Sequence, residues 1–302
     1  MLEGRKPSES THEFAEDDTL SDAVAVTAAA LGEAGIEEPR RTARSLVAAA
    51  AGIGAIRLIA TPGARLGQEA AQRLEEFLRR RLASEPISRI LGRREFYGRD
   101  FSLSPATLDP RPDTEVLIEA AKELIREEGW GERPLRLIDI GTGTGAIAIT
   151  MLAEFPKATA VATDISAEAL ETTRANARHL GVEDRLELVE TRSLEGVEGP
   201  FDLLLSNPPY IPSTDIGGLD AEVRLFDPLA ALDGGPDGLQ VYRELGAGLQ
   251  RVVPRGWALF EVGADQASDV AQILSNQGLH DLRTWQDLGG HTRCVACRTR
   301  CG

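Results

Sequence analysis

The segment FDLLLSNPPYIPS (residues 201–213) joins a run of apolar residues to two prolines and a tyrosine. Proline has no backbone N–H and a fixed φ, so Pro208 and Pro209 end the predicted strand and leave carbonyl groups that need not pair within a sheet. The side chain of Asn207 adds a carbonyl acceptor beside the carbonyl of Pro208. Two acceptors at a fixed spacing match a planar –NH2 group, and Tyr210 supplies a flat surface for a planar target.

A glycine-rich turn follows an earlier predicted strand, in LIDIGTGTGAIAI (residues 137–149). The three glycines Gly141, Gly143 and Gly145 allow a tight turn and a close approach of the backbone to a ligand, at the positive end of the next helix. The dinucleotide-binding fingerprint has the spacing G-x-G-x-x-G, whereas here the third glycine comes one residue earlier. The spacing G-x-G-x-G, preceded by Asp139, resembles the motif of class I S-adenosylmethionine methyltransferases.

A single acid at the end of the next strand completes this pattern. Asp164 ends the strand in VATDIS, at about the position from which an acid accepts hydrogen bonds from ribose hydroxyls. Together with the glycine turn it favours S-adenosyl-L-methionine over a nicotinamide dinucleotide. We therefore expect S-adenosyl-L-methionine as cofactor and S-adenosyl-L-homocysteine as product.

A planar nitrogen held beside such a cofactor would be N6 of adenine, N2 of guanine or the side-chain amide of glutamine. Each is a weak nucleophile because its lone pair is delocalised. None needs a strong base at the start, since the proton becomes acidic once the methyl group has been transferred. Catalysis then consists mostly of alignment and of acceptors that stabilise positive charge on nitrogen. The prediction is that Asn207, Pro208, Pro209 and Tyr210 form the catalytic segment.

The elements that must position these residues alternate between strands and helices after residue 130. The strands are predicted in the segments LRLIDI, TAVATDI, RLELVE, FDLLLS, GWALFEV, HDLRTWQD and TRCVACR. Such alternation is typical of a mainly parallel sheet with helices on both faces, and the short loop between the last two strands predicts that those two pair antiparallel. We therefore predict an α/β fold with a seven-stranded Rossmann-like sheet and a ligand site at the carboxyl ends of its strands.

The residues before this sheet have a different composition, rich in Ala, Arg, Glu and Leu with helical spacing. Near-alternating Phe and Leu residues then predict a β-hairpin. The predicted regions are a disordered tail at 1–18, a small helical bundle at 19–88, a β-hairpin linker at 89–112 and a methyltransferase domain at 113–302.

Several local patterns carry expectations of their own. Ser21 is a candidate N-cap for the first helix, and Asp113 or Thr114 for the helix that opens the sheet domain. The arginines at 79–81 are expected on a solvated helix face. The segment DGGPDG (residues 233–238) is predicted to be a turn that shapes the rim of the pocket.

Charge and composition narrow the class of partner. The net charge is -15 and the isoelectric point about 4.8, which argues against a nucleic-acid substrate. No stretch approaches the ~20 apolar residues of a membrane helix, and the first residues lack the apolar core of a secretory signal. Cys294, Cys297 and Cys301 lie near the end, and the alternating pattern of TRCVACR places the first two on opposite faces of a strand. We expect a reduced cytoplasmic protein that holds no metal.

Five segments together resemble one family. GRREFYGRDFSLSPATLDPRPDTE, DIGTGTGAIAI, SNPPYIP, FDPLAALDGGPDGL and LGGHTRCVACR are similar to the protein-(glutamine-N5) methyltransferases that modify peptide chain release factors. The resemblance covers roughly residues 20–300. It implies that the substrate is the Gln of the Gly-Gly-Gln motif of class 1 release factors, held in part by the helical bundle and the hairpin. The alternatives are adenine N6 or guanine N2 of DNA or RNA, or a glutamine of a ribosomal protein.

The resemblance also implies roles for single residues. Asn207 and Pro208 would accept the amide N–H groups, and Tyr210 would pack on the substrate. The chain departs from the family at Asp109, where Ile is usual, and at Thr191-Arg192, where an acid and a Trp are expected, so that Glu190 is the substitute candidate for the adenine amino group. The candidate cofactor-binding residues are Asp139, Gly141, Thr142, Gly143, Thr144, Gly145, Asp164, Ile165, Glu190, Arg192 and Asn207.

Overall fold

The computed structural model describes residues 13–299, which form two compact units that divide between Leu91 and Gly92. The residues before position 13, predicted as tail, and Cys301 lie outside this range. Every helix in residues 13–299 is too short or too polar to cross a membrane.

The first unit is the predicted helical bundle, in which two of the helices are short, with six and five residues. Its helices are α1 Leu20–Glu33, α2 Pro39–Ala50, α3 Ala55–Ala60, α4 Gln68–Leu82 and α5 Ile87–Leu91. Apolar residues at helical spacing meet in a core that includes Leu31, Leu46, Leu74 and Leu78, all buried. The predicted cap at Ser21 is wrong, since the side chain of Thr19 caps α1 by accepting from the N–H of Asp22.

The last part of the predicted tail is ordered, which corrects the expectation for residues 13–18. Phe14 is 7% exposed and belongs to the core of the bundle. Its backbone N–H donates to the carboxylate of Glu75 on α4 at 2.9 Å, and the N–H of Leu66 donates to the carbonyl of Asp18 at 2.8 Å. One buried aromatic ring and these backbone bonds hold a segment whose polar composition indicated a loose tail.

The three arginines at the end of α4 do not share one solvated face. Arg79 is exposed and pairs with Glu76, and Arg80 forms a partly buried ion pair with Glu85. Arg81 is 8% exposed, and its guanidinium donates to the carbonyl of Glu85 at 3.0 Å. The prediction of a solvated face is therefore wrong for Arg81, because three consecutive residues of a helix point in three directions.

The second unit opens with the predicted hairpin, formed by β1 Arg93–Phe96 and β2 Arg99–Ser102. Tyr97 and Gly98 both have positive φ at the two-residue turn, 52° and 72°, as expected of a turn that follows the twist of its strands. Phe96 and Phe101 are buried, and their rings pack edge to face with 6.2 Å between the ring centroids. The hairpin is thereby fixed to the core under the sheet.

Seven strands form the predicted sheet, in the order β5-β4-β3-β6-β7-β9-β8. The strands are β3 Arg136–Ile140, β4 Thr159–Asp164, β5 Leu186–Glu190, β6 Leu203–Ser206, β7 Trp257–Glu261, β8 His280–Gln286 and β9 Thr292–Arg298. The first five are parallel, and β9 pairs antiparallel with both β7 and β8, which confirms the seven-stranded α/β fold.

Helices and short turns connect these strands. The helices are α6 Glu115–Glu127, α7 Ala146–Glu154, α8 Ala167–His179, α9 Ala221–Phe226, α10 Gln240–Val252 and α11 Ala267–Asn276. Single turns of 3-10 helix lie at Pro112–Thr114, Glu183–Arg185, Ile216–Gly218 and Leu229–Ala231.

Two apolar cores cover the two faces of the sheet. Leu203 and Leu205 lie in one core and Leu204 in the other, as alternation along a strand requires. Cys294 and Cys297 likewise lie in different cores, which confirms that their odd spacing puts them on opposite faces. No group of metal-ligating side chains that could hold an ion is found in residues 13–299.

Candidate active site

The five parallel strands all finish at the same edge of the sheet, with their last residues aligned in register. The register pairs of adjacent strands run along one line across the sheet, from the end of β5 to the end of β7. Neighbouring strands are ~4.8 Å apart, so residues that end or follow them form one row. In strand order, that row is Glu190, Asp164, Gly141, Asn207 and Glu261. Strand β3 is the switch point of the sheet, since the chain continues to β4 on one side and later to β6 on the other.

The glycine turn after β3 has the geometry that its spacing predicts. Gly141, Gly143 and Gly145 have φ values of 71°, 57° and 83°, a region that other residues rarely adopt. A Cβ on Gly145 would lie 2.6 Å from a side-chain carbon of Ile149 and 2.8 Å from one of Thr173, so this glycine lets α7 pack closely. A Cβ on Gly141 would have no atom of the described residues within 4 Å. The first glycine therefore faces open space.

Asp139 supports this turn from beneath. Its side chain is buried, and Oδ2 accepts from the Thr142 hydroxyl at 2.6 Å and from the Ala148 N–H at 3.2 Å. Its Oδ1 is buried without a hydrogen-bond partner in the described residues. The pKa of Asp139 is raised to about 7, mainly by burial and in part by the nearby charge of Asp164, against the opposing effect of the two hydrogen bonds. Direct contact with a cofactor stays a prediction for this residue.

Asp164 is held by backbone N–H groups on both carboxylate oxygens. Oδ2 accepts from Gly143 at 2.9 Å and Oδ1 from Ser166 at 3.0 Å. Ser166 also caps α8 by accepting from the N–H of Ala169. Ile165 stands between these residues with 58% of its surface exposed. A fixed carboxylate thus lies beside an exposed apolar side chain.

Asn176 on α8 joins the hairpin to the glycine turn, a role that no pattern in the sequence indicates. Its Nδ2 donates to the carbonyls of Thr144 at 2.9 Å and Ser102 at 3.1 Å, and its Oδ1 accepts from the N–H of Ser102 at 2.8 Å. On the same helix, the hydroxyl of Thr173 donates to the carbonyl of Gly143 at 2.9 Å. The carbonyls of Gly143 and Thr144 are therefore both directed toward α8.

These residues fit S-adenosylmethionine. Asp164 is a carboxylate suited to two adjacent ribose hydroxyls, and exposed Ile165 is suited to the face of an adenine ring. The open side of Gly141 admits a ligand to the backbone. The sequence predicted these groups separately, and the level ends of β3 and β4 bring them together.

The structure places Asn207 directly after β6, where its side-chain orientation is determined by a neighbour. Its Nδ2 donates to the hydroxyl of Thr114 at 3.1 Å, so its Oδ1 is left as an acceptor. Thr114 was one of two predicted helix caps, yet neither side chain caps α6, and the hydroxyl of Thr114 serves Asn207 instead. Pro208 is buried, and no donor from residues 13–299 reaches its carbonyl.

The DGGPDG segment (residues 233–238) braces this loop from behind. A Cβ on Gly234 would lie 2.7 Å from the carbonyl oxygen of Pro209, and one on Gly238 would lie 2.3 Å from that of Tyr210. The N–H of Gly234 donates to the carbonyl of Ile211 at 2.9 Å. The segment therefore does more than form a turn at the rim of a pocket. Its backbone lies so close to the backbone of the loop after β6 that only glycine, which has no side chain, fits at positions 234 and 238.

Tyr210 is partly buried against the core beside α10 and α11. Burial raises the pKa of its phenol to about 12, and the charge of Glu261 adds to this shift, while Arg293 and Arg111 oppose it. Gln266, the N-cap residue of α11, donates from Nε2 to the backbone carbonyl of Tyr210 at 2.9 Å. The tyrosine therefore stays neutral at ordinary pH and is fixed by its backbone.

Ion pairs tie the Pro-rich connector before α6 to the residue after α9 and to β9. Arg111 pairs with Asp227 at 2.6 Å, and Asp113 pairs with Arg293 on β9 at 2.9 Å. Asp109, which departs from the family pattern, is buried and lies 3.7 Å from the guanidinium of Arg94. The unusual acid is thereby matched by a cation of the hairpin.

Two of the candidate cofactor residues are placed less tightly. Glu190 ends β5 beside Asp164 in the register and is exposed. Arg192 pairs with Glu244 on α10 at 3.5 Å and lines an open depression of about 660 Å³. None of the residues that line this depression belongs to the glycine turn. Glu190 is therefore the better placed of the two, and a role in cofactor binding stays a prediction for both.

The fold and the row of residues at its switch point define a class I S-adenosylmethionine-dependent methyltransferase. Two family models match the chain, the PrmC N-terminal domain over residues 22–92 and the methyltransferase small domain over residues 112–219. The chain belongs to the release factor glutamine methyltransferase family, as the curated relatives show.

The relatives cover nearly the whole chain. The release factor glutamine methyltransferase of Bradyrhizobium diazoefficiens is 46% identical over 90% of this chain and 92% of its own length. Those of Agrobacterium fabrum and Rhodospirillum rubrum are 40% and 44% identical over 93% and 88% of this chain and 98% and 81% of their own lengths.

A solved structure shares the fold at lower identity. The hMettl16 catalytic domain in complex with MAT2A 3'UTR hairpin 6 superposes with a TM-score of 0.56 at 18% identity, over 71% of this chain and 82% of that one. At this identity the likeness concerns the fold alone.

Asp139→Asn is expected to reduce the pH dependence of stability. The pKa of Asp139 rises from 3.8 to about 7 on folding, so its contribution to the free energy of unfolding is full below pH 3.8 and is lost as the pH rises to about 7. The loss amounts to about 4 kcal/mol on an order-of-magnitude basis. About 3 kcal/mol of this loss falls between pH 5 and pH 7, and urea unfolding at pH 5 and pH 8 measures that part. An equal fall in stability for wild type and variant would contradict the assignment.

Gly234→Ala is expected to lower the rate of methyl transfer at least ~10-fold while cofactor affinity stays within ~3-fold. The added methyl would press on the backbone of Pro209 and Tyr210, and a displacement of ~1 Å at a reacting centre has effects of this size. Gly217→Ala is the matched control, because a Cβ there meets no described atom within 4 Å. Equal rates for the two variants would show that the close contact does not position the loop.

Proposed function

We propose that this protein transfers a methyl group from S-adenosyl-L-methionine to the side-chain amide nitrogen (N5) of the glutamine in the Gly-Gly-Gln motif of class 1 peptide chain release factors. The observation that carries the proposal is the acceptor pair of Asn207 and Pro208 at the end of β6, beside the glycine turn, in a chain 46% identical to a release factor glutamine methyltransferase. The relatives' name points to a release factor as the substrate protein. The pair of acceptors explains why the methylated group would be an amide.

The cofactor would be held on the β3 and β4 side of the switch point. Asp164 would accept the ribose hydroxyls, the backbone at Gly141 would lie against the ligand, and Ile165 would cover the adenine. When bound, S-adenosylmethionine supplies an electrophilic methyl group on a sulfonium. The residues of the turn contribute binding and orientation and take no part in bond formation.

The glutamine amide would be aligned on the β6 side. Its two N–H groups would donate to Oδ1 of Asn207 and to the carbonyl of Pro208, which orients the nitrogen lone pair out of the amide plane. Both acceptors are held before the substrate arrives, Asn207 by Thr114 and the Pro208 loop by the DGGPDG segment. As positive charge develops on nitrogen, both N–H groups become stronger donors, so the two hydrogen bonds strengthen in the transition state.

The proton of the methylated amide needs no side-chain base. An amide that carries a new methyl group on nitrogen is strongly acidic until it loses a proton, and water accepts that proton readily. Tyr210, with a pKa of about 12, is neutral and is suited to packing rather than to proton transfer. Catalysis by this site therefore rests on alignment and on charge stabilisation.

The protein partner would be a class 1 release factor in the cytoplasm, where translation ends. We expect the helical bundle, which spans residues 19–88 in the predicted division, and the hairpin to contribute to its binding. No direct nucleic-acid substrate is expected, in keeping with the net charge of -15.

Labelled S-adenosylmethionine and a purified class 1 release factor test the activity directly. We expect label on the wild-type factor and none on a factor whose loop glutamine is replaced by alanine. DNA, RNA and ribosomal protein serve as competing acceptors in parallel reactions. Label on the altered factor, or only on a competing acceptor, would overturn the proposal.

Asn207→Ala is expected to lower kcat at least ~100-fold, because one of the two acceptors is lost and the other no longer fixes the amide. Cofactor affinity, measured by calorimetry, should stay within ~3-fold of wild type. A parallel loss of cofactor affinity would show that Asn207 acts mainly on the cofactor. Asn207→Asp separates the two functions of the side chain, since a carboxylate keeps an acceptor but removes the donor to Thr114.

A further inference from the structure

Glu261 ends β7 next to Asn207 and is an unusual residue for a buried strand end. Its side chain is 2% exposed, and its Oε2 has no hydrogen-bond partner among residues 13–299. In the register of β6 and β7, Ser206 pairs with Phe260, so Asn207 and Glu261 follow side by side. A buried carboxyl thus directly adjoins the proposed substrate amide clamp.

Two hydrogen-bond donors face Glu261, one from the turn before α6 and one from the loop after β6. The hydroxyl of Thr114 and the amide of Asn207 both stabilise its charged form, and Nδ2 of Asn207 also donates to that hydroxyl at 3.1 Å. A carboxylate accepts hydrogen bonds and donates none. It therefore requires the nitrogen of the Asn207 side chain on its own side and the oxygen on the other.

We propose that Glu261, together with Thr114, is a positioning residue that fixes the Asn207 amide with Oδ1 toward the substrate. The inference rests on the proposed function, because Oδ1 is the acceptor for the substrate N–H group. An asparagine rotated by 180° would present its NH2 group to another NH2 group and would repel the substrate. Glu261 does not touch the substrate and acts through its two neighbours.

The protonation state of Glu261 bears on this orientation. Burial raises its pKa to about 7, the charge of Asp113 adds to the shift, and the hydrogen bonds of Thr114 and Asn207 and the charge of Arg293 oppose it. A protonated acid can donate to Oδ1 of Asn207 and so favours the opposite rotation. The productive orientation should therefore be lost as the pH falls through about 7.

The groups around Glu261 belong to four elements. Asp113 and Thr114 face it from the turn before α6, and Asn207 and Tyr210 from the loop after β6. On β9, Cys294 is the register partner of Glu261, and Arg293 precedes Cys294. On α10, the hydroxyl of Tyr242 donates to the backbone carbonyl of Glu261 at 2.7 Å.

Three of these neighbours do not titrate near pH 7. Burial and neighbouring negative charge hold the pKa values of Tyr210, Tyr242 and Cys294 above their ordinary values.

Thr114→Val and Thr114→Ser form a matched pair for the hydroxyl. With release factor as substrate and saturating cofactor, we expect Thr114→Val and Glu261→Gln to lower kcat ~10- to 100-fold, with KM for the factor and cofactor affinity within ~3-fold of wild type. Thr114→Ser should restore kcat to within ~3-fold. Equal kcat for the valine and serine variants, or a loss of cofactor affinity in Glu261→Gln that matches the loss of kcat, would overturn the inference.

The pH profile of kcat separates positioning from mere packing. For wild type we expect kcat to rise ~10-fold or more as the pH increases through about 7, and for Glu261→Gln we expect a flat profile. Asp139 has a raised pKa in the same range, so Asp139→Asn is measured beside it and should keep the rise. A rise that persists in Glu261→Gln would contradict the role.

A readout without substrate keeps this inference separate from the proposed function. The side-chain NH2 signals of Asn207 in the 15N-labelled full chain, assigned by their loss in Asn207→Ala, should shift with a midpoint near pH 7. They should be insensitive to pH in Glu261→Gln. Failure of wild type to methylate a release factor would reject the proposed function alone, whereas pH-independent Asn207 signals in wild type would reject the role of Glu261.

Discussion

The level register of the parallel strands β5, β4, β3, β6 and β7 is the constraint on which the rest of the site depends. Because these strands end in line, residues far apart in the chain become neighbours at one edge of the sheet. A slip of one residue in β6 would turn Asn207 away and would also invert the two apolar cores, since Leu203 and Leu205 pack on one face and Leu204 on the other. The same burial that holds the sheet together therefore aligns the residues of the site.

Two buried carboxyl groups, Asp139 on β3 and Glu261 at the end of β7, lie on either side of β6. Burial raises both pKa values to about 7, so each carboxyl lies at a position that disfavours its charge. Each serves a neighbouring loop. Asp139 accepts from the turn that would hold the cofactor, and Glu261 adjoins the side chain that would hold the substrate. Burying these two carboxyl groups destabilises their charged forms, and in return each group helps to orient the loop beside it.

Close backbone contacts hold those loops in place. Gly145 lets α7 and α8 approach the first turn, and Gly234 and Gly238 let the DGGPDG segment lie against the loop after β6. Asn176 links the hairpin to the glycine turn through two hydrogen bonds with Ser102 and one with Thr144. Both halves of the site are thus supported by elements that contribute no group to the proposed chemistry.

Much of this protein was determined by its sequence alone. Local spacing was enough for the glycine turn, the two acids near it, the Asn-Pro-Pro-Tyr segment, the seven strands and the opposite faces of Cys294 and Cys297, because each depends on residues close together in the chain. Only the tertiary structure decided that Thr114 serves Asn207 rather than a helix, that Asn176 joins two loops, that Phe14 anchors part of the expected tail and that Arg81 is buried. The physical reason is that a buried polar atom takes whichever partner the packing brings to it, and packing unites segments as far apart as residues 114, 207 and 261.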